Sequence, residues 1–199
     1  ERIQTAREAK ESSVPSHPPA SFTLPPLPKG TAVPDMPPHL SVLCRKTEQI
    51  PAALDAGANA VYLDFEDLRD YAEGIKTVRE HGKSIPVFLA TPRIQKPSEV
   101  GYFKLMERAE PDGILIRNLG AAQYFRQSLL HRIGDFSLNV ANPYSAAILK
   151  KQGNLAHLTI SYDLNAEQVA DLLRAAPPEW FELTLHQHMP MFHMEHCVF

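Results

Sequence analysis

Cysteine is nearly absent: of 199 residues only Cys44 and Cys197 carry a thiol, too few and too far apart for a disulfide framework. A reducing compartment, by default the cytoplasm, is the expectation. No apolar run approaches the roughly 20 residues that a bilayer-spanning helix needs, so no membrane segment is expected. Neither sign of charge dominates: 22% of residues are charged and the formal net charge is -3, so nothing marks a polyanion-binding tail. No Gly-x-Gly-x-x-Gly follows the first apolar run, which removes the usual dinucleotide signature, and no His-Glu-x-x-His occurs. The chain opens on Glu1-Arg2-Ile3-Gln4 without Met or a signal-peptide pattern, and it stops two residues after Cys197. A piece of a longer protein is expected.

Proline, by contrast, is abundant and unevenly spread. Nine of its eighteen positions fall within the first 38 residues, in stretches such as Pro25-Pro26-Leu27-Pro28 and Pro37-Pro38. Residues 1–38 therefore read as the end of a helix, Ile3 to Lys10, followed by a polyproline-like linker, which implies an upstream domain. The compact domain is expected over residues 39–199, continuing past Phe199.

From His39 onward, short apolar runs alternate with amphipathic stretches. The runs are Leu40 to Cys44, Ala60 to Phe65, Pro86 to Ala90, Gly113 to Ile116, Phe136 to Val140, Leu158 to Ser161 and Trp180 to Leu185. Each is too short for a helix and rich in Val, Ile, Leu or aromatics, as strands buried on both faces are. Helices are predicted over Asp70 to His81, Glu99 to Ala109, Ala121 to Leu130, Tyr144 to Lys151 and Ala166 to Ala175. Asn165 with Gln168 forms a capping-box pattern, and Gly57, Gly82 and Gly153 read as helix ends. Strands joined by helical crossovers demand a parallel sheet. A spacing of about 23 residues per unit favours a (β/α) barrel with about seven of its eight units present.

In such a barrel the active site lies where the loops leave the C-terminal ends of the strands. Those ends carry Arg45, Asp64 with Glu66, Thr91 with Arg93, Arg117 with Asn118, Asn139 with Asn142, Tyr162 with Asp163, and His186 with His188. Arg45, Asp64, Arg93, Asn139 and Asp163 are the expected substrate-binding set. The arginines suit a carboxylate or phosphate, although ion pairing with Asp64, Glu66 and Asp163 is the blander role for the same residues.

Histidine concentrates at the far end. Four of the nine, His186, His188, His193 and His196, lie within eleven positions and end beside Cys197. His and Cys bind soft metals and carry nucleophilic or acid-base chemistry near neutral pH. His186 and His188 would share one face of a strand, which also allows a zinc site completed by His193, His196 or Cys197. Met189, Met191, Phe192 and Met194 read as packing. Cys44, in an apolar run, reads as a small core residue that could reach the same rim.

The run Glu182-Leu-Thr-Leu-His186-Gln-His-Met-Pro-Met-Phe-His-Met-Glu-His-Cys197 resembles the signature of the collagenase-like peptidases, the peptidase family of unassigned mechanism numbered 32. That signature has a Glu, a His four residues later, and a closing Cys, matched here by Glu182, His186 and Cys197. It looks most like the second barrel of the long members. Asn139-Val-Ala-Asn142 and Ser161-Tyr-Asp-Leu-Asn165 look like the strands that precede the signature. Pro190 stands where the family has its first Cys, and Gln187 and Glu195 stand where it has glycines, so a role for that first Cys does not carry over.

The resemblance implies a barrel enzyme with Glu182, His186, His188 and Cys197 as its centre. Two chemistries go with it. One is hydrolysis of a peptide, with Cys197 activated by a neighbouring histidine. The other is oxygen-independent hydroxylation or RNA-base modification by an iron-sulfur cluster, with Cys197 as metal ligand and further cysteines beyond Phe199. A non-catalytic barrel that binds substrate or RNA is the third expectation.

Overall fold

The structure is a computed structural model that describes residues 26–27, 38–81 and 84–188. The helix and most of the linker expected over residues 1–38, Gly82, and the histidine-cysteine end with His193, His196 and Cys197 lie outside the described residues.

Seven strands form one sheet: β1 (Ser41–Cys44), β2 (Ala60–Leu63), β3 (Val87–Ala90), β4 (Gly113–Ile116), β5 (His131–Gly134), β6 (His157–Thr159) and β7 (Phe181–Glu182). They lie in chain order, every neighbouring pair parallel. The helices are α1 (Gln49–Asp55), α2 (Tyr71–Glu80), α3 (Val100–Arg108), α4 (Leu119–Tyr124), α5 (Pro143–Gly153) and α6 (Ala166–Ala175). A doubly wound sheet reverses its strand order partway, whereas this one never does. The fold is an incomplete (β/α) barrel. Among the described residues no helix is long and apolar enough to cross a membrane.

The sheet curls. In a flat sheet, five spacings of about 4.8 Å would put β2 and β7 about 24 Å apart. Yet Tyr62 Oη on β2 donates a hydrogen bond of 2.7 Å to Glu182 Oε1 on β7. The two-residue period of the strands sorts side chains into an inner and an outer layer. Ala60, Tyr62, Phe88, Ala90, Leu115 and Ile133 pack inside the curl. Val61, Leu63, Leu89, Ile114 and Ile116 face outward onto Leu54 of α1, Ile75 of α2 and Phe103 of α3. Strands buried on both faces need unbroken apolar runs, and β2, β3 and β4 are such runs.

Local capping follows the sequence. Asn165 and Gln168 make the reciprocal capping box at the start of α6. Gly57, with φ of 90°, turns the chain after α1 in a conformation closed to most side chains. Gly153, expected to close α5, is its last helical residue instead. Asn154 takes the left-handed position, φ 51° and ψ 47°, which Asn tolerates better than most residues.

Three element boundaries depart from the sequence reading. The fifth strand is His131–Gly134, not Phe136 to Val140; Phe136–Leu138 is a short 3-10 turn, and Val140 makes only an isolated bridge to Ile160. The helix after β4 begins at Leu119, because Asn118 accepts a hydrogen bond from Ala121 N and caps it, and it passes at Phe125 into a 3-10 turn. The seventh strand stops at Glu182 rather than reaching Leu185, and Leu183 and Leu185 are exposed.

Candidate functional site at the C-terminal mouth

The first residue after each of β2, β3, β4 and β5 is polar: Asp64, Thr91, Arg117 and Asp135. Asp64, Arg117 and Asp135 follow the inward-facing Tyr62, Leu115 and Ile133 by two positions, so they continue the inner layer as a charged tier above an apolar one. Arg117 is its hub. Its Nη1 and Nη2 donate to the two oxygens of Asp64 at 2.6 and 2.9 Å, and its Nε donates to Asp135 Oδ2 at 3.1 Å. Its backbone N–H donates to Thr91 Oγ1 at 3.0 Å, and Ser137 Oγ donates to its carbonyl at 2.9 Å. Only 5% of the Arg117 side chain is exposed. Burial pushes the Asp135 carboxyl above the ordinary carboxylate range, and the guanidinium beside it works against that shift.

Asp64 thus directs both oxygens at Arg117, with the exposed Arg45 more distant at 3.8 Å. The pairing considered for these residues on sequence grounds is what the geometry contains. Asn118 and Asn142 cap α4 and α5. These rim positions build the mouth.

A second group lies open. Arg93, after β3, places its guanidinium 5.0 Å from the ring centroid of Phe136, and Phe136 meets Tyr162 at 5.0 Å. Together with Ser137, Asn139, Ser161 and Asp163 they line a cavity of about 190 Å³. Ser161 Oγ donates to Asn139 Oδ1 at 2.8 Å, tying the two walls together, and Asn139 is held in the left-handed region at φ 52°. Three of the five residues expected to bind substrate, Arg93, Asn139 and Asp163, meet here; Arg45 and Asp64 sit with Arg117.

Glu182 is half-buried inside the barrel. Burial first, then the Glu182 charge, drives the Tyr62 phenol far above its ordinary range, so Tyr62 stays a donor at all working pH. Tyr62→Phe is expected to cost about 1.5–3 kcal/mol in a urea titration, toward the lower end because Glu182 is only half-buried. An unchanged midpoint would show that water replaces the phenol.

His186 and His188 lie past the last strand, both exposed, with ring centroids 5.9 Å apart. They do not alternate along a strand as expected, because β7 has ended. Among the described residues no group of three or more His, Cys, Asp or Glu is placed to hold a metal ion. Cys44 does not reach the mouth. It is 1% exposed in the outer, helix-facing layer, and burial pushes its thiol up to about 11. Sequence reasoning missed Asp135, Phe136 and Tyr62. A displaced fifth strand hid the first two, and no local pattern announces the third.

No protein-family model matches the chain, and no curated protein matches it in sequence. Solved structures that resemble it include MenC from Desulfotalea psychrophila LSv54, with TM-score 0.46 and 12% identity over 75% of this chain and 46% of that one. An unknown member of the enolase superfamily from Enterococcus faecalis V583 gives 0.44 and 11% over 61% of this chain and 35% of that one. A glycerol uptake operon antiterminator-related protein from Thermotoga maritima MSB8 gives 0.48 and 10% over 73% of this chain and 94% of that one. This chain spans less than half the length of the first two.

Proposed function

We propose that the chain is a barrel of the collagenase-like peptidase type that holds a substrate at its C-terminal mouth and hydrolyses it there. The observation that carries this reading is Glu182, the first residue of the matching signature, pinned by Tyr62 at the inner wall of the barrel. A residue that merely solvated a loop would not face inward. Hydrolysis needs a nucleophile and an adjacent base. Cys197 and a neighbouring histidine, His193 or His196, take those roles, with Glu182, His186 and His188 completing the centre. The test is hydrolysis of gelatin by the purified protein. Activity lost in Cys197→Ala, with an unchanged circular dichroism spectrum, supports the reading; activity equal to that of the unaltered protein sinks it.

Iron-sulfur chemistry is the second reading, favoured by the Arg93–Phe136–Tyr162 surface, since a cation beside aromatic rings suits an unstacked RNA base. The described residues do not themselves fit a cluster: a cluster takes about four thiolates, and Cys44, the thiol among them, faces the helices. Cys197 and cysteines outside this sequence would have to hold it. Anaerobically purified protein with absorbance near roughly 400 nm, iron and acid-labile sulfide, all lost in Cys197→Ala, would move the assignment to RNA modification.

A further inference from the structure

We propose that the cavity lined by Arg93, Phe136, Asn139, Ser161, Tyr162 and Asp163 binds an α-carboxylate with an N–H donor beside it, as a free amino acid or the C-terminal residue of a peptide presents.

The inference starts from how this barrel treats its charges. One tier down, Arg117, Asp64 and Asp135 satisfy one another at hydrogen-bond distance. The cavity does the opposite. Among the described residues Arg93 has no carboxylate within ion-pair distance; its guanidinium overlies Phe136 and acts on Asp135 through its longer-range field alone. The Asp163 carboxylate has neither a cation nor a hydrogen-bond donor among them; only its backbone N–H is engaged, at 3.4 Å from Ser161 Oγ. Two opposite charges line one small cavity without pairing with each other. A ligand with a carboxylate alone, or a donor alone, would satisfy one and leave the other. A ligand with a carboxylate at one end and an N–H donor close by satisfies both, the carboxylate on the planar fork of Arg93 and the donor on Asp163.

The rest of the lining agrees. The Ser161 hydroxyl donates to Asn139 Oδ1, which leaves the Asn139 Nδ2 hydrogens for a carboxylate. The Phe136 and Tyr162 rings form an apolar wall for a side chain. At about 190 Å³ the space is smaller than the roughly 300–1,000 Å³ of drug-sized pockets. One residue is the right scale.

The proposal rests on the mouth being the substrate site, but it is read without turnover. Isothermal titration of the full chain with L-phenylalanine, N-acetyl-L-phenylalanine and L-phenylalaninamide tests it. L-phenylalanine is expected to bind, and loss of the carboxylate charge, in the amide or through Arg93→Gln, to weaken it by about tenfold or more. Asp163→Asn is expected to weaken L-phenylalanine and to spare the N-acetyl compound. If the N-acetyl compound matches L-phenylalanine, the occupant is a peptide C-terminus; if only the free amino acid binds, it is an amino acid; both uphold the shared chemistry. An amide that binds as well as the acid, or no saturable binding by any of the three up to about 10 mM, overturns it. The three compounds on unaltered protein decide this even where a variant misfolds. Absent binding with intact gelatin hydrolysis rejects only the subsite; intact binding without hydrolysis rejects only the peptidase reading.

Discussion

Arg117→Ala is expected to lower the free energy of unfolding by about 3–5 kcal/mol, a fifth or more of the roughly 5–15 kcal/mol that a domain has in total. The loss has little to do with the ion pairs as such, since a buried pair contributes little net stability against a well-packed apolar replacement. It comes from what stays behind. Asp64 and Asp135 would keep their places at the ends of β2 and β5 without the three guanidinium hydrogen bonds that now satisfy them, and Asp135 is 3% exposed. Arg45→Ala is the control: that side chain is 58% exposed and 3.8 Å from Asp64, so its removal is expected to cost about 0–1 kcal/mol. Urea titrations of both variants check the pair. If Arg117→Ala costs less than about 1 kcal/mol, water reaches both carboxylates and the charged tier is not a sealed layer.

The same variant has a pH signature whose sign follows from Asp135. Its carboxyl is raised in the folded state by burial. A raised folded value means that its favourable contribution is complete below the unfolded value and is lost as pH rises through the folded one. Removing the guanidinium that opposes the shift raises the folded value further. The deficit of Arg117→Ala is therefore expected to be smallest at acid pH, below the raised folded value of Asp135, where its carboxyl holds its proton in both proteins, and full once pH has risen through the folded values of both. A deficit that grows on acidification would mean that another group controls it.

How far these contacts could be read from the sequence depended on whether their causes were local. The strands β2, β3 and β4 lie within two residues of their expected places, because a strand buried on both faces must be an unbroken apolar run; β1 and β6, less fully buried, lie as near to theirs. The fifth strand, His131–Gly134, breaks that rule with one large apolar residue, Ile133. It is tolerated because Arg132, although outward-facing and 9% exposed, gives its guanidinium hydrogens to the carbonyls of Asn154, Phe125 and Ser128. Those partners come from loops folded elsewhere, so Phe136 to Val140 looked the better strand. The displaced strand hides Asp135, and Asn139, expected at the end of a strand, stands instead after a 3-10 turn in the left-handed region. That Arg93 and Asp163 line the mouth follows from the rule that loops leaving the strand ends converge there. Tyr62 and Glu182 are 120 positions apart, and nothing near either one signals the other.

That long-range contact rests on the barrel interior, where Phe88→Ala is expected to cost about 3–5 kcal/mol. Phe88 fills the space left by Gly113 on the neighbouring strand and meets Tyr62 edge-on, with centroids 5.3 Å apart. A Cβ at Gly113 would stand 2.3 Å from Phe88 Cε1 and 2.6 Å from the His131 carbonyl oxygen. Gly113→Ala alone is thus expected to cost about 1–3 kcal/mol through overpacking. The two substitutions should not add. With Phe88 truncated, the ring clash disappears while the backbone clash with His131 stays, so the double variant is expected to be more stable than the sum by about 1 kcal/mol. Additivity within about 0.5 kcal/mol would show that the backbone clash dominates and that Gly113 answers to His131 rather than to Phe88. The functional consequence runs along the same contacts. Without the Phe88 ring, Tyr62 loses the surface that orients it, and with it the bond that holds Glu182 inward; on the hydrolase reading proposed above, Phe88→Ala is therefore expected to lower gelatin hydrolysis even at temperatures where the variant remains folded.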